Sequence, residues 1–591
     1  MANIVSTSET KIYQIKAWLG LNESPDGDTH MKVGEAAVMR NFRITAENHL
    51  QIRPGYGPIC TLSEGNKVQG MWTGYVKGVF HIVAACGGHL WDIDVSGKSA
   101  ADKGEIDDSA TFFFGFSEKL YILTGAEYYS WDGENTVSVV EGYIPIVSTA
   151  VPPSGGGTVL EQINLLTGKK RAQFSPDGSA KTFQLPETEI DEVLSVEGTE
   201  IEYTSDAEKG TVTFNTIPEK GVNTITITWR KGEGERADVT GMRYAELFNG
   251  EADSRVFFYG NGTNKAIYSG LDEDGKPTAE YFPSMNELSV DAANTPITAM
   301  IRHYDRLLVF KQDSTFSCSY STLTTDGDSV IPAFYVSSLN RSVGNSAPGQ
   351  AVLVQNAART VFGRSVYTWG LASNSVRDER NAKVISDRVA TRLATFDLTK
   401  ALCFDDDWNQ EYYIFCDNQA VVHNYQTDTW YYYTNLPVSC VVSIKDALYF
   451  GTTDGRLMEF SRKYRNDDKS DIDAYWESGS MDFDMDWRRK YSSTIWICLK
   501  PESQAAFYAT AQSNIKSDYP DKLISAGLST FLNVDFNHWS FGTNRKPQLI
   551  RAKLKVKKAT YYKLIFYSVS ASATATILSA DIQVRYTGNV K

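Results

Sequence analysis

The chain has 591 residues, 42% of them hydrophobic and 22% charged, a globular balance that excludes a disordered polypeptide and allows about four domains. Acidic residues outnumber basic ones 72 to 58, and the net charge of −14 argues against a free-standing nucleic-acid binder. Aromatics at 12% and 44 glycines favour strands and tight turns, while seven cysteines without a Cys-x-x-Cys pair exclude a disulfide framework and a zinc ribbon.

In chain order, the start Met1-Ala2-Asn3-Ile4-Val5-Ser6 lacks the basic and apolar regions of a secretory signal. No apolar run reaches the roughly 18 residues of a membrane helix, so the reading expects cytoplasmic synthesis and no membrane insertion. Residues 1–60 do not fit the repeat that follows and are read as a segment for docking and propeller closure. Within them Trp18, Leu19 and Leu21 form an apolar run in a polar stretch, a candidate partner-docking edge.

From 61 onward a strand–turn–strand grammar repeats. Val79 to Asp92 and Lys119 to Asp132 both end on Trp-Asp, 40 residues apart, near the period of a four-stranded propeller blade. The same grammar recurs at Arg255 to Gly270, Arg306 to Tyr320, Thr360 to Gly370, Glu411 to Tyr425 and Ala447 to Phe460. Asn261-Gly262, Asp417-Asn418 and Asp454-Gly455 supply the left-handed turns of tight hairpins. The period fails once, where an all-β insertion follows the linker-like Pro152-Pro153-Ser154-Gly155-Gly156-Gly157. The predicted parts are therefore propeller residues 61–150, an inserted small β-sandwich at 151–239 and the propeller remainder at 240–469. A C-terminal β-sandwich at 470–591 completes them. The fold class is all-β, with six to eight blades.

Later segments yield single features. Ser386 to Ala401 is the one good helix candidate, with Ser386 as its cap. Asp405-Asp406-Asp407 is the densest acid cluster and reads as a solvated turn between blades. Trp430-Tyr431-Tyr432-Tyr433 reads as packing between blades rather than a sugar platform. Near the C-terminus Arg551, Lys553, Lys555 and Lys557 alternate with apolar residues, which on a strand puts four cations on one face. That row is either a solvated face or a docking stripe.

No H-E-x-x-H, G-x-S-x-G or P-loop signature is present, and the seven histidines make no i, i+4 pair. His81 and His89 flank one hairpin, where they could face each other. The reading expects no enzyme, no cofactor and no metal site.

Several segments together carry a likeness. Gly34-Glu35-Ala36-Ala37-Val38-Met39-Arg40-Asn41-Phe42 leads to Leu50-Gln51-Ile52-Arg53-Pro54-Gly55-Tyr56. Ala382 to Val389, Tyr412 to Phe415, Val422 to Tyr425, Thr429-Trp430 and Tyr475 to Gly479 follow in order, and Asn164-Leu165-Leu166-Thr167-Gly168 lies in the insertion. The chain thereby resembles the tail nozzle proteins of short-tailed bacteriophages, also called tail tubular or stabilisation proteins. The resemblance implies a structural virion protein in the phage tail, assembled in the host cytoplasm as a hexameric ring. It also implies an adaptor protein as partner, tail fibres as a further one, and passage of phage DNA without specific binding. The alternative from another class is a carbohydrate-binding or carbohydrate-cleaving propeller acting in host receptor recognition.

Overall fold

The computed structural model describes residues 10–24, 31–248, 254–324, 330–370, 381–502, 505–526, 546–569 and 573–590. They fall into two compact units, one built from 1–68, 352–371 and 382–591, the other from 69–351 and 372–381.

The fold is all-β, and its repeated element is a four-stranded antiparallel meander, the blade of a β-propeller. Seven such sheets occur among the described residues, within the expected range. Each hairpin read from the sequence is the second and third strand of one blade. Val79–Cys86 and His89–Asp94 do this in blade 1, and Lys119–Leu123 and Tyr128–Trp131 in blade 2. The two Trp-Asp pairs thus occupy equivalent third strands, which is why they share the blade period. Outer strands such as Ser99–Glu105 and Ser138–Val139 lie outside the hairpins read from the sequence because they are mostly polar and exposed.

In the 69–351 unit, blades 1 to 4 pack through apolar side chains of the middle strands. Val83, Leu90, Leu120, Ile122 and Trp131 join blades 1 and 2. Phe114, Tyr128, Val256 and Phe258 join blades 2 and 3, and Phe257, Leu307, Val309 and Phe316 join blades 3 and 4.

The insertion is a sandwich of a five-stranded and a three-stranded sheet around Phe174, Phe183, Val212, Phe214, Ile227 and Trp229. Its first strand is Ile146–Val151, upstream of the expected boundary. Pro152 to Gly157 is a hairpin turn inside the module rather than a linker, since Ile146–Val151 pairs with Thr158–Val159. Gly155, Gly156 and Gly157 all take positive φ (87°, 96° and 91°), which three successive side-chain-bearing residues would resist. Asn164 ties the module to its blades: its amide donates to the Tyr143 and Glu280 carbonyls and its Oδ1 accepts from Phe282 N. Leu165 and Leu166 then enter the core between blades 2 and 3.

The other unit holds blades 5 to 7 and a second sandwich. The outer strand of blade 7 is Gly55–Thr61, paired with Arg456–Ser461. The sandwich is not purely C-terminal. Thr10–Ile15, Phe42–Ile44 and Leu50–Ile52 complete its seven-stranded sheet, and Gly20–Leu21 and Glu35–Arg40 its six-stranded one. The helix expected over Ser386 to Ala401 is broken into Asp387–Val389, Ala390–Leu393 and Leu398–Lys400. Ser386 does not cap it, because its Oγ accepts from Val366 N at 2.8 Å. Asp397 starts a new turn instead, accepting from Thr399 N and Oγ1.

Candidate functional site

The basic row lies on the edge of the seven-stranded sheet. Gln548–Ala552 and Val556–Ala559 pair in succession with Arg488–Leu499, and the chain between them leaves the ladder. The alternation nevertheless holds: Ala552, Leu554 and Val556 are buried, while Arg551, Lys553, Lys555 and Lys557 are exposed. Lys558, with φ of 56°, ends it. Arg551 sits opposite Trp496, and Lys557 opposite Tyr491, so half-buried aromatics line the row. None of the four cations makes an ion pair with a described residue. Cations on an edge strand discourage strand-to-strand aggregation, a role that needs no partner.

Trp18, Leu19 and Leu21 are not an exposed edge. Trp18 and Leu21 are fully buried, and Leu19 is half-buried with its N–H donating to Gly34 O. The Trp18 indole meets Trp476 edge-on at 5.1 Å and Phe566 at 6.1 Å, and its Nε1 donates to Leu578 O. The apolar run is sandwich core, which the sequence could not separate from a surface patch because the partners of the Trp18 ring lie more than 450 residues away.

The acid cluster is not a solvated turn either. Asp406 is fully buried at the end of Leu402–Asp406, where it accepts from the backbone and side-chain amides of Asn409. Burial pushes the Asp405 and Asp406 carboxyls up to about 6, and Asp407 alone is exposed. Among the described residues no group of three acidic, histidine or cysteine side chains is placed to hold a metal ion.

His423 is the most constrained histidine. Arg359 Nη1 lies 3.0 Å from its Nδ1, and an arginine can only donate, so Nδ1 is the acceptor. Nε2 therefore carries the proton and donates to Asp428 Oδ1 at 3.1 Å. Burial and the neighbouring Arg359 charge lower the ring to about 4, and it stacks on Trp430. With both nitrogens occupied, it has no lone pair for base catalysis. His81 and His89 do not face each other; they bond separately to Asp92 and Asp102. Trp430, Tyr431, Tyr432 and Tyr433 are all buried, and the Tyr413 and Tyr431 hydroxyls donate to Glu411, which also meets Arg43 at 3.3 Å. They offer no stacking platform.

The most tightly built polar site is one whose role the sequence left unread. Arg53 is buried, and its guanidinium clasps Asp467 through both oxygens, at 2.8 and 2.6 Å. Its remaining bonds go to Asn41 Oδ1, Pro54 O and Thr434 O, which uses all five donors. Asn41, left-handed at φ 56°, also accepts from Thr434 N and donates to Asp473 O. A side chain at Gly55 would meet Asn466 O at 2.0 Å. The Asn41-Phe42 and Arg53-Pro54-Gly55 signature is thus a latch joining the sandwich strands to blades 6 and 7. The signal available beforehand was an arginine fixed by Pro-Gly.

No protein-family model and no curated protein matches the chain. Among solved structures, the computationally designed Ika8 protein is similar at 10% identity and a TM-score of 0.30, covering 68% of this chain and 99% of that one. YCF48 from Cyanidioschyzon merolae is similar at 9% and 0.25, covering 69% and 99%. An exo-beta-1,3-galactanase from Phanerochaete chrysosporium is similar at 8% and 0.18, covering 81% and 96%. Likeness this slight carries no argument about activity. Among the described residues no helix is long and apolar enough to cross a membrane.

Proposed function

We propose that the protein is a structural virion component, a subunit of the tail nozzle ring below the portal and adaptor of a short-tailed phage, through which the genome leaves. The observation that carries this reading is the ordered set of family-like segments, above all the Asn41-Phe42 to Arg53-Pro54-Gly55 signature. Its residues form the buried latch of one unit, so the likeness rests on side chains with a structural job. Charge supports the same role. Each copy carries a net −14, and a lumen of that sign repels DNA and lets it slide. An all-β blade architecture with few unpaired edges suits a static part.

The test is native mass measurement with negative-stain imaging of the purified protein, alone and with its adaptor. A ring of about six copies that stacks on the adaptor is expected. A compact monomer or trimer with glycan affinity would favour a carbohydrate-binding propeller in host recognition and overturn the reading.

A further inference from the structure

The turn between the middle strands of blade 3, Arg255–Tyr259 and Lys265–Tyr268, carries the dipeptide Asn261-Gly262. Asn261, Gly262 and Thr263 are all exposed. Gly262 takes a φ of 82°, a Cβ built there would meet nothing within 4 Å, and its N–H bonds to no described residue. That nitrogen is therefore open, with no side chain of its own to block an approach. The amide oxygen of Asn261 is held by two donors: Oδ1 accepts from Thr263 N at 3.1 Å and from Thr263 Oγ1 at 2.7 Å. Oγ1 in turn accepts from Lys265 N at 3.2 Å, which fixes the direction of its own proton. Two donors on one carbonyl oxygen polarise it and stand where negative charge collects when its carbon is attacked. Other candidates for such an attack lack one part. Asn345, before Ser346, is fully buried, out of reach of base and water. Asp132, Asp177 and Asp454 also precede glycines, but hydrogen bonds hold their carboxyls below the usual range, from backbone amides at the first two and from the Thr452 hydroxyl at the third. An ionised carboxylate is a poor electrophile. Asn249-Gly250 lies outside the described residues.

We infer that Asn261 is a self-modification site, where the Gly262 nitrogen closes on the Asn261 side chain and converts it to aspartate and isoaspartate in the folded protein, with Thr263 receiving the oxyanion. Gly262 N loses its proton to a solvent base and bonds to Asn261 Cγ. The Cγ–Nδ2 bond breaks, and Nδ2 leaves as ammonia with a proton from water. Water then opens the resulting succinimide at either carbonyl, so the net change is amide plus water to acid plus ammonia. The same turn holds the entry to blade 4, since Thr263 O accepts from Ile297 N at 3.0 Å and Asn264 O from Val290 N at 2.9 Å. The new charge and the longer isoaspartate backbone therefore arise where blades 3 and 4 join. The assignment does not depend on the virion reading.

Incubation of the full-length protein at mildly alkaline pH, followed by tryptic peptide mapping with mass spectrometry, tests it. Asn261 falls in the peptide Val256–Lys265 and Asn249 in Tyr244–Arg255, so the two Asn-Gly pairs are read separately. A synthetic Val256–Lys265 peptide, incubated alongside, serves as the clock. The expected result is conversion at Asn261 into two products that elute apart, faster at higher pH and ahead of any change at Asn345, Asp132, Asp177 or Asp454. Thr263→Val removes the hydroxyl and should slow the conversion by about 5-fold, the worth of one hydrogen bond, while Thr263→Ser keeps the parent rate. Thr263 is exposed, so unchanged melting curves establish that both variants are folded. Three outcomes overturn the inference. They are an intact Asn261 when the free peptide has fully converted, earlier change at one of the comparison sites, and a Thr263→Val variant that converts as fast as the parent or as Thr263→Ser.

Discussion

At the residue scale, burial decides what the charged groups do. Glu246 lies between strands of blades 3 and 4, accepts from Arg302 N at 3.1 Å, and is pushed up by burial to about 7. Its folded value exceeds the ordinary carboxyl value of 4.5, so the neutral form stabilises the fold below pH 4.5, and that contribution is lost as pH rises through about 7. Glu246→Gln, permanently neutral and still an acceptor, should match the parent protein in thermal melts at pH 4.5. At pH 8 it should exceed the parent by roughly 1–2 kcal/mol. Equal melting at both pH values would mean that the carboxyl is solvated. Arg53 gives the opposite case, a charge that needs its partner. Arg53→Met should cost about 3–5 kcal/mol in denaturant unfolding, because it strands Asp467 in the interior. Adding Asp467→Leu should recover part of that loss. A double variant no better than the single would shift the weight to the bonds with Asn41 and Thr434.

At the element scale, two segments behave differently from their sequence-level reading. Trp18 is a core residue, so Trp18→Ala should cost about 3–5 kcal/mol, as large-to-small core changes do. Intact stability with lost adaptor binding would instead restore it as a docking residue. The inserted module has its own two-sheet core, and its first strand pairs in parallel with Lys169–Phe174. Expressed alone, a fragment of residues 144–232 should melt cooperatively and at a higher temperature than residues 151–239, which lacks that strand. The same melting point for both fragments would show that Ile146–Val151 adds nothing. The hairpins of this module were legible because Gly and Asp punctuate them. Its boundary was not, because a glycine-rich turn and a linker have the same composition.

At the scale of the whole molecule, the basic row and the net charge can be separated by experiment. Reversal at Lys553 and Lys555 should leave stability within about 0.5 kcal/mol, since both are exposed and neither forms an ion pair with a described residue. Under the nozzle reading it should impair ring assembly on sizing chromatography and leave DNA behaviour unchanged. Duplex binding at about 150 mM salt should be undetectable for the parent protein, because exposed cations are screened there and the net charge is −14. Micromolar DNA binding that vanishes in the double variant, with the ring intact, would place the row against DNA.

Strand periodicity and turn chemistry are local, and the sequence by itself determined what they govern. It set seven strand–turn–strand units, the Trp-Asp spacing of blades 1 and 2, the interruption between blades 2 and 3, and the alternation of Arg551 to Lys557. Tertiary structure alone decided which distant strands complete a sheet. Gly55–Thr61 closes blade 7 against Arg456–Ser461, and Trp18 packs on Trp476 and Phe566. It also decided that Asp406 is buried rather than solvated, and that Arg53 finds Asp467. The physical reason is common to all four. An apolar or charged side chain carries the same local signature whether it meets water or is buried against other parts of the fold, and only the folded packing tells the two apart.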